Sequence, residues 1–305
     1  MRIFQVDAFT RTRFTGNPAT VVLDADGLEE SMLAAIAREF CHAETAFVVR
    51  AQGADHDLRL RFFNARKEVP FVGHATIAAH AAMLAVGRRA PGVLRQLSGT
   101  GIIEVRAALP AGMSEPPHIE FRQTAPELAA PLPLKSTLRV AEALHLPARA
   151  LHEHWPARIA RKGGTRLLVP VATVEALAPL APSMDSLSAL GAELGADGVF
   201  VFACARTAAG LATESRMFCP ALGIPEDPVS GNAHGMLAAY LLEVGELGAA
   251  QGLAFTGHQG ASVRRPGEVQ VRLEPACGSA PGTAPSPAAV HIGGSAVIVS
   301  EGRLR

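Results

Sequence analysis

The chain has 305 residues, 49% of them hydrophobic and 18% charged, with 28 Lys plus Arg against 28 Asp plus Glu. This composition excludes general disorder, and the length exceeds what one hydrophobic core usually fills, which argues for two domains. Balanced charge without a basic run speaks against a nucleic-acid partner, and no apolar run reaches the ~18 residues of a membrane span.

The start, "MRIFQVDAFT", is β-branched and aromatic enough to read as a strand, and "FTGNPATVVLD" follows as a turn entering a second strand, Thr20 to Leu23. From Asp26 the period changes: Leu28, Met32, Ile36 and Phe40 recur every fourth residue, with Asp26 and Glu29 spaced like a capping box. That pattern predicts an amphipathic helix. "ETAFVVR" and "DLRLRFFN" return to strand patterns, and Gly73 opens an Ala-rich segment, His74 to Val86, so poor in polar residues that it needs walls on nearly every side. Strands wrapped around a central helix supply such walls better than one open sheet.

The second half repeats this order: "TRLLVPVA" as a strand, "MDSLSALGAEL" as a helix, "GVFVFACA" and "ESRMFCPA" as strands, then a Gly231 turn into an apolar helix through Leu242. Residues 68–77, "EVPFVGHATI", and 226–235, "EDPVSGNAHG", share Glu, Pro, Gly and Ala at equal offsets. "ETAFVV" at 44–49 aligns with "DGVFVF" at 197–202 at nearly the same separation, and two matches in one order indicate an internal duplication. Residues 277–289 read as a flexible Gly/Pro/Ser loop, and a last strand follows that crosses to pair elsewhere.

Cys41, Cys204, Cys219 and Cys277 lie far apart without C-x-x-C spacing, and no charged-then-apolar leader opens the chain, so reduced thiols in a cytoplasm are expected. The histidines take no metal-ligand spacing, and no metal site is expected. "SGTGIIEV" lacks the third glycine of a dinucleotide fingerprint and runs into a strand. Trp155 suits a core position or a cleft wall equally.

Each copy sets a Gly before an apolar helix, whose start presents unpaired N–H groups and the positive end of the helix dipole, a place for a carboxylate. If a pseudo-two-fold axis relates the copies, the two starts face one cleft. Glu44, His74 and Asp227 are the groups the sequence can deliver there, and apolar walls suit a carboxylate that works as a proton carrier. Each also has a plainer use: Glu44 capping a surface strand, Asp227 forming an Asp-Pro turn, His74 packing at a helix start. His234, inside the second helix, suits a satisfied core histidine.

With these residues in view, the chain resembles the PhzF-like isomerase family of phenazine biosynthesis, which shares the diaminopimelate-epimerase-like fold. The resemblance runs nearly end to end, through "VDAFTRTRFTGNPATVV", "AETAFVVR", "EVPFVGHAT", "SRMFCPALGIPEDPVSGNAHG", "HQGASVRRPGEV" and "IGGSAVIVSEGRL". It implies an α/β (α+β) protein of two pseudo-symmetric domains, each a curved mixed sheet around a central helix. These are residues 1–115 plus 289–305, carrying Glu44 and the Gly73–His74 helix start, and 116–288, carrying Asp227 and the Gly231–Asn232 start, with the active site between them.

The resemblance further implies cofactor-free chemistry in which Glu44 moves a proton between carbons of a small carboxylate-bearing substrate. His74 and Asp227 are then relay and positioning partners. Backbone at Gly73 and Ala75, and at Ser230, Gly231, Asn232 and Ala233, would hold the substrate. No nucleic acid or membrane partner is implied, and a homodimer is an expectation from the family alone. Asn232 replaces the Ser of the phenazine isomerase and cannot act as a hydroxyl, so the substrate is left open. With His and Asn at 74 and 232, two-thiol racemisation is disfavoured. The alternatives are a single-centre epimerase pairing Glu44 with Asp227 or Asp197, or a carboxylate-binding protein without turnover.

Overall fold

A computed structural model describes residues 1–110, 115–248, 250, 252–275 and 287–304. The chain divides into two compact units, Met1–Gln123 with Ile292–Arg305, and Thr124–His291. The first runs β1 (Arg2–Ala8), β2 (Asn17–Leu23), α1 (Glu30–Phe40), β3 (Thr45–Arg50), β4 (Leu58–Phe63), β5 (Glu68–Val69), α2 (Gly73–Ala85), β6 (Gly92–Ser98), β7 (Gly101–Ala108) and β8 (His118–Thr124). The second runs β9 (Glu127–Pro131), α3 (Leu134–Ala143), β10 (Arg158–Arg161), β11 (Thr165–Pro170), α4 (Met184–Leu194), β12 (Gly198–Thr207), β13 (Gly210–Cys219), β14 (Ile224–Asp227), α5 (Gly231–Glu243), β15 (Ala254–Gln259) and β16 (Gly267–Pro275), before β17 (Pro287–Arg303).

The unit boundary differs from the one read in the sequence. Residues 116–123 belong to the first unit because β8 pairs antiparallel with β7, Val105 opposite Phe121, and residues 289–291 group with the second. The loop expected at 277–289 and Cys277 lie largely outside the described residues.

In the first unit β1 pairs with β2 and with β17, β2 runs parallel to β3, β3 antiparallel to β4, β4 parallel to β6, then β7 and β8 follow, and β8 pairs with β17. The strands thus close on themselves around α2, whose residues Ala75 to Met83 are all buried. The helix is a smooth rod of alanine, and its two buried polar side chains need partners. Thr76 Oγ1 donates to the Val72 carbonyl at 2.9 Å, and the Gln96 amide donates to Thr76 Oγ1 at 3.5 Å. His80 Nε2 meets Gln96 Oε1 at 2.9 Å, while Arg89 Nη1 bonds its Nδ1. Because an arginine only donates, the His80 ring is the neutral Nε2–H tautomer.

The second unit repeats this plan. β10 pairs antiparallel with β9 and β11, β11 runs parallel to β12, β12 antiparallel to β13, β13 parallel to β15 and β15 antiparallel to β16. α5 is buried almost throughout. α1 and α4 occupy equivalent places, after β2 and after β11, and each lays one apolar stripe on the sheet.

The duplication extends to the turns before the central helices. Arg61 makes a two-pronged contact with Glu68 at 2.8 and 2.6 Å and lies over Phe63, and Arg216 does the same with Glu226 at 2.9 and 2.8 Å and lies over Phe218. Beneath the prolines that follow, Gly99 leaves space against Pro70 and Gly260 against Pro228; a methyl group would come within 2.7 Å of Pro70 Cα and 2.6 Å of the Pro228 oxygen.

Two local expectations need correction. The first helix begins at Glu30, so its buried stripe is Leu33, Ile36 and Ala37, and Met32 is half exposed. Asp26 does not cap it, because its carboxylate accepts the Arg50 backbone N–H at 2.9 Å, tying the chain to β3 instead.

Candidate active site

Glu44 is fixed from both sides in sequence. α1 ends at Cys41 in a left-handed conformation (φ 51°), and β3 begins at Thr45 beside β2, with the Glu44 carbonyl accepting the Thr20 N–H at 3.4 Å. The Thr20 hydroxyl reaches His42 Nδ1 at 2.8 Å. These contacts turn the Glu44 side chain toward the start of α2, where His74 is the second residue. Glu44 Oε2 and His74 Nε2 are 3.4 Å apart, with side chains 19% and 11% exposed.

That contact is not an ion pair at neutral pH. Burial, with the nearby charge of His42 as a smaller cause, pushes the His74 imidazole down to about 4. Nor does His74 Nε2 find a hydrogen bond of normal geometry, although the separation lies within ion-pair range. A neutral ring therefore sits against a carboxylate at a helix start that no side chain caps, Val72 preceding it. Gly73 permits this approach: a methyl group there would stand 3.0 Å from the Phe121 ring.

The second copy is built differently. Ser230 caps α5, its hydroxyl accepting from the Ala233 N–H at 3.2 Å, and Gln259 clamps the turn, accepting from the Ser230 N–H at 3.1 Å and donating to the Asp227 carbonyl at 2.6 Å. Asn232 spends its amide N–H on the Lys162 carbonyl at 2.8 Å, which fixes its orientation and leaves its oxygen buried without a bond. Asp227 ends β14 beside Glu226, which Arg216 holds. Within each unit, then, the residues singled out in the sequence come together: Glu44 with Gly73, His74 and Ala75 in one, Asp227 with Ser230, Gly231, Asn232 and Ala233 in the other.

The other residues considered each have contacts of their own. His234 donates from Nδ1 to the Ser230 carbonyl at 2.8 Å and is fully buried, with Nε2 3.5 Å from Ser215 Oγ, whose hydroxyl donates to the His258 carbonyl at 3.1 Å. Asp197, aligned with Glu44, is half exposed and accepts the Thr165 N–H at 2.8 Å, with Arg166 at 3.7 Å. Trp155 stacks on His152, ring centres 3.9 Å apart, beside Cys204. The clamp residue Gln259 and the Thr20–His42 pair carry no local sequence signal, since their partners lie far along the chain.

A family model for phenazine biosynthesis-like proteins matches residues 6–302. The chain belongs to the PhzF family. A PhzF-family protein of Bacillus anthracis superposes with a TM-score of 0.83 at 25% identity, covering 100% of this chain and 99% of that one. A Pseudomonas aeruginosa structure described as a predicted epimerase gives a TM-score of 0.78 at 28% identity, with 99% and 98% covered. A Clostridium acetobutylicum protein named as an uncharacterised isomerase is 33% identical over 306 residues, covering 99% of this chain and 97% of its own. The PhzF-family fold and an isomerase's class of activity follow, and no helix among the described residues is long and apolar enough to cross a membrane.

Proposed function

We propose that this PhzF-family enzyme moves a proton between two carbons of a small carboxylate-bearing metabolite without a cofactor, and that Glu44 is the general base and then the general acid. The observation that carries this reading is the contact of Glu44 with a neutral His74 at the uncapped start of α2. Because the imidazole beside it is uncharged, this contact does not neutralise the Glu44 carboxylate, which can take a proton from a C–H bond activated by a neighbouring carbonyl or double bond. The neutral ring can donate or accept a hydrogen bond while the proton is in transit.

Negative charge that develops on the substrate would be offset by helix-start N–H groups of Gly73, His74 and Ala75. Desolvation at such a site strengthens these interactions. General acid–base assistance of this kind is worth roughly 10²- to 10⁴-fold.

The test is incubation with a metabolite extract in heavy water, with mass spectrometry for compounds that gain deuterium in wild type and not in Glu44→Gln. Wild-type deuterium incorporation by that variant overturns the assignment. A second reading, epimerisation at one centre, is favoured by the presence of a carboxylate near each helix start, Glu44 at α2 and Asp227 before α5. Deuterium at a single inverted carbon, instead of a new position, selects it.

A further inference from the structure

A cavity of about 550 Å³ opens on the first unit behind the far end of α2, walled by Val48, Leu58, Met83, Pro91 and Leu94. Its charged lining is Asp24, Asp26, Asp57, Arg50, Arg88 and Arg89. Each carboxylate has its own arginine: Asp24 pairs with Arg88 at both oxygens, Asp26 with Arg50 at 3.6 Å, and Asp57 with Arg95 at 3.5 Å and with the Arg95 N–H at 2.7 Å. Arg89 is left over. It is 7% exposed, and its partners are all neutral: the carbonyls of Ala90 (3.2 Å), Gly92 (2.9 Å) and Val105 (3.5 Å), and the His80 ring.

A guanidinium held this way has four of its five N–H groups on neutral acceptors and its charge uncompensated. Among the described residues no carboxylate stands within ion-pair distance of it, and burial alone pulls its pKa down to about 10. Leaving a buried charge without a counter-ion costs several kcal/mol in general, which a fold does not sustain for packing that Met or Leu would supply better. One N–H of Nη1 remains unspent beyond the bond to His80, and the residue lines an open cavity of ligand size.

We propose that this cavity is a binding site for a small organic monocarboxylate with an apolar body, its carboxylate neutralising Arg89 and its body lying on Leu58, Met83 and Leu94. A monoanion balances the one surplus positive charge. A dianion such as inorganic phosphate is disfavoured, because Asp24, Asp26 and Asp57 line the cavity and Arg88 and Arg50 are already engaged by Asp24 and Asp26. The site is separate from Glu44 and His74 and does not depend on the function proposed for them.

Benzoate is the probe, titrated into the full-length protein by calorimetry and by methyl NMR of the Leu and Val side chains. Binding that shifts the Leu58, Leu94 and Val93 methyls is expected, with benzamide at least about tenfold weaker, as loss of a charged hydrogen bond implies, and with no response to phosphate. Arg89→Met should abolish it. Should that variant fail to fold, Val93→Glu, at a rim position 43% exposed, places a repelling charge there and should weaken benzoate by a similar factor. Glu44→Gln should leave these shifts unchanged. Benzoate affinity equal in wild type and Val93→Glu, shifts confined to residues around 73–75 or 231–233, equal binding of benzamide, no binding at all, or a solution dimer that covers Val93 would each overturn the proposal.

Discussion

His74 presents Nε2 to Glu44 Oε2 at 3.4 Å without forming an ion pair, because burial keeps the imidazole uncharged down to about pH 4. His74 therefore contributes an uncharged ring to this contact across the whole physiological range. Glu44→Gln preserves shape and removes only the base: proton exchange should fall by roughly 10²- to 10⁴-fold while thermal stability stays near wild type. A matching loss of melting temperature would assign Glu44 a structural role instead.

Acid stability should depend on buried histidines. Desolvation sets His74 at about 4, His80 at about 3 and His234 at about 4, against 6.5 in the unfolded chain. Below pH 6.5 the unfolded state binds more protons than the native one, so stability is full above that value and falls as the pH drops through it toward 4. At ~1.4 kcal/mol per unit, each fully buried ring contributes a loss on the order of 3 kcal/mol by pH 4. Urea midpoints measured from pH 8 to 4.5 should be level at first and then decline. A midpoint that stays level to pH 4.5 would contradict the burial.

Gly257 lies flat against the His234 ring, and a methyl group there would stand 2.0 Å from Cδ2. That ring is fully buried and anchored by its Nδ1 bond to the Ser230 carbonyl, so it cannot swing aside. Gly257→Ala should cost about 1–3 kcal/mol, the usual range for overpacking, whereas Gly302→Ala, with nothing within 4 Å of the new methyl, should leave the melting temperature nearly unchanged. Equal effects of the two would show that the ring has room.

Arg216 and Glu226, with side chains 12% and 11% exposed, fasten the strand that ends in Asp227. Arg216→Met should destabilise by about 3–5 kcal/mol, since it strands the Glu226 charge. Arg216→Met with Glu226→Leu should recover part of that loss. The surface pair Arg139–Glu193, bonded at 2.5 and 2.7 Å, should show no such pattern. Thermal melts of these two variants, beside Arg139→Met and Arg139→Met with Glu193→Leu, decide the matter.

Much of this architecture is legible along the chain. The repeated Glu, Pro and Gly of 68–73 and 226–231 mark the two turns, and the alanine run after Gly73 calls for a helix walled by strands. What escapes is any feature whose two halves are far apart. Arg61 and Arg216 each stand two residues before a Phe in a strand, yet only the folded chain shows that they grip Glu68 and Glu226. Asp26 has the spacing of a cap, but Arg50, across the sheet, claims its carboxylate. α3 follows Pro133 with Thr137, Val140, Ala141 and Ala143 buried, a readable stripe that two nearby prolines disguise. Of the site, Glu44 and His74 stand out in the sequence, whereas the charge state that makes their contact useful comes from burial.

A cylinder of alanine inside a sleeve of strands has little to stop it turning about its axis or slipping along it, since one small methyl resembles another. Thr76 and His80 act as keys on that cylinder: the first engages Gln96 and the second both Gln96 and Arg89, so a rotation of one residue would break the bonds joining these four side chains, three of them fully buried. The azimuth at which His74 meets Glu44 is thus set two turns further down the rod.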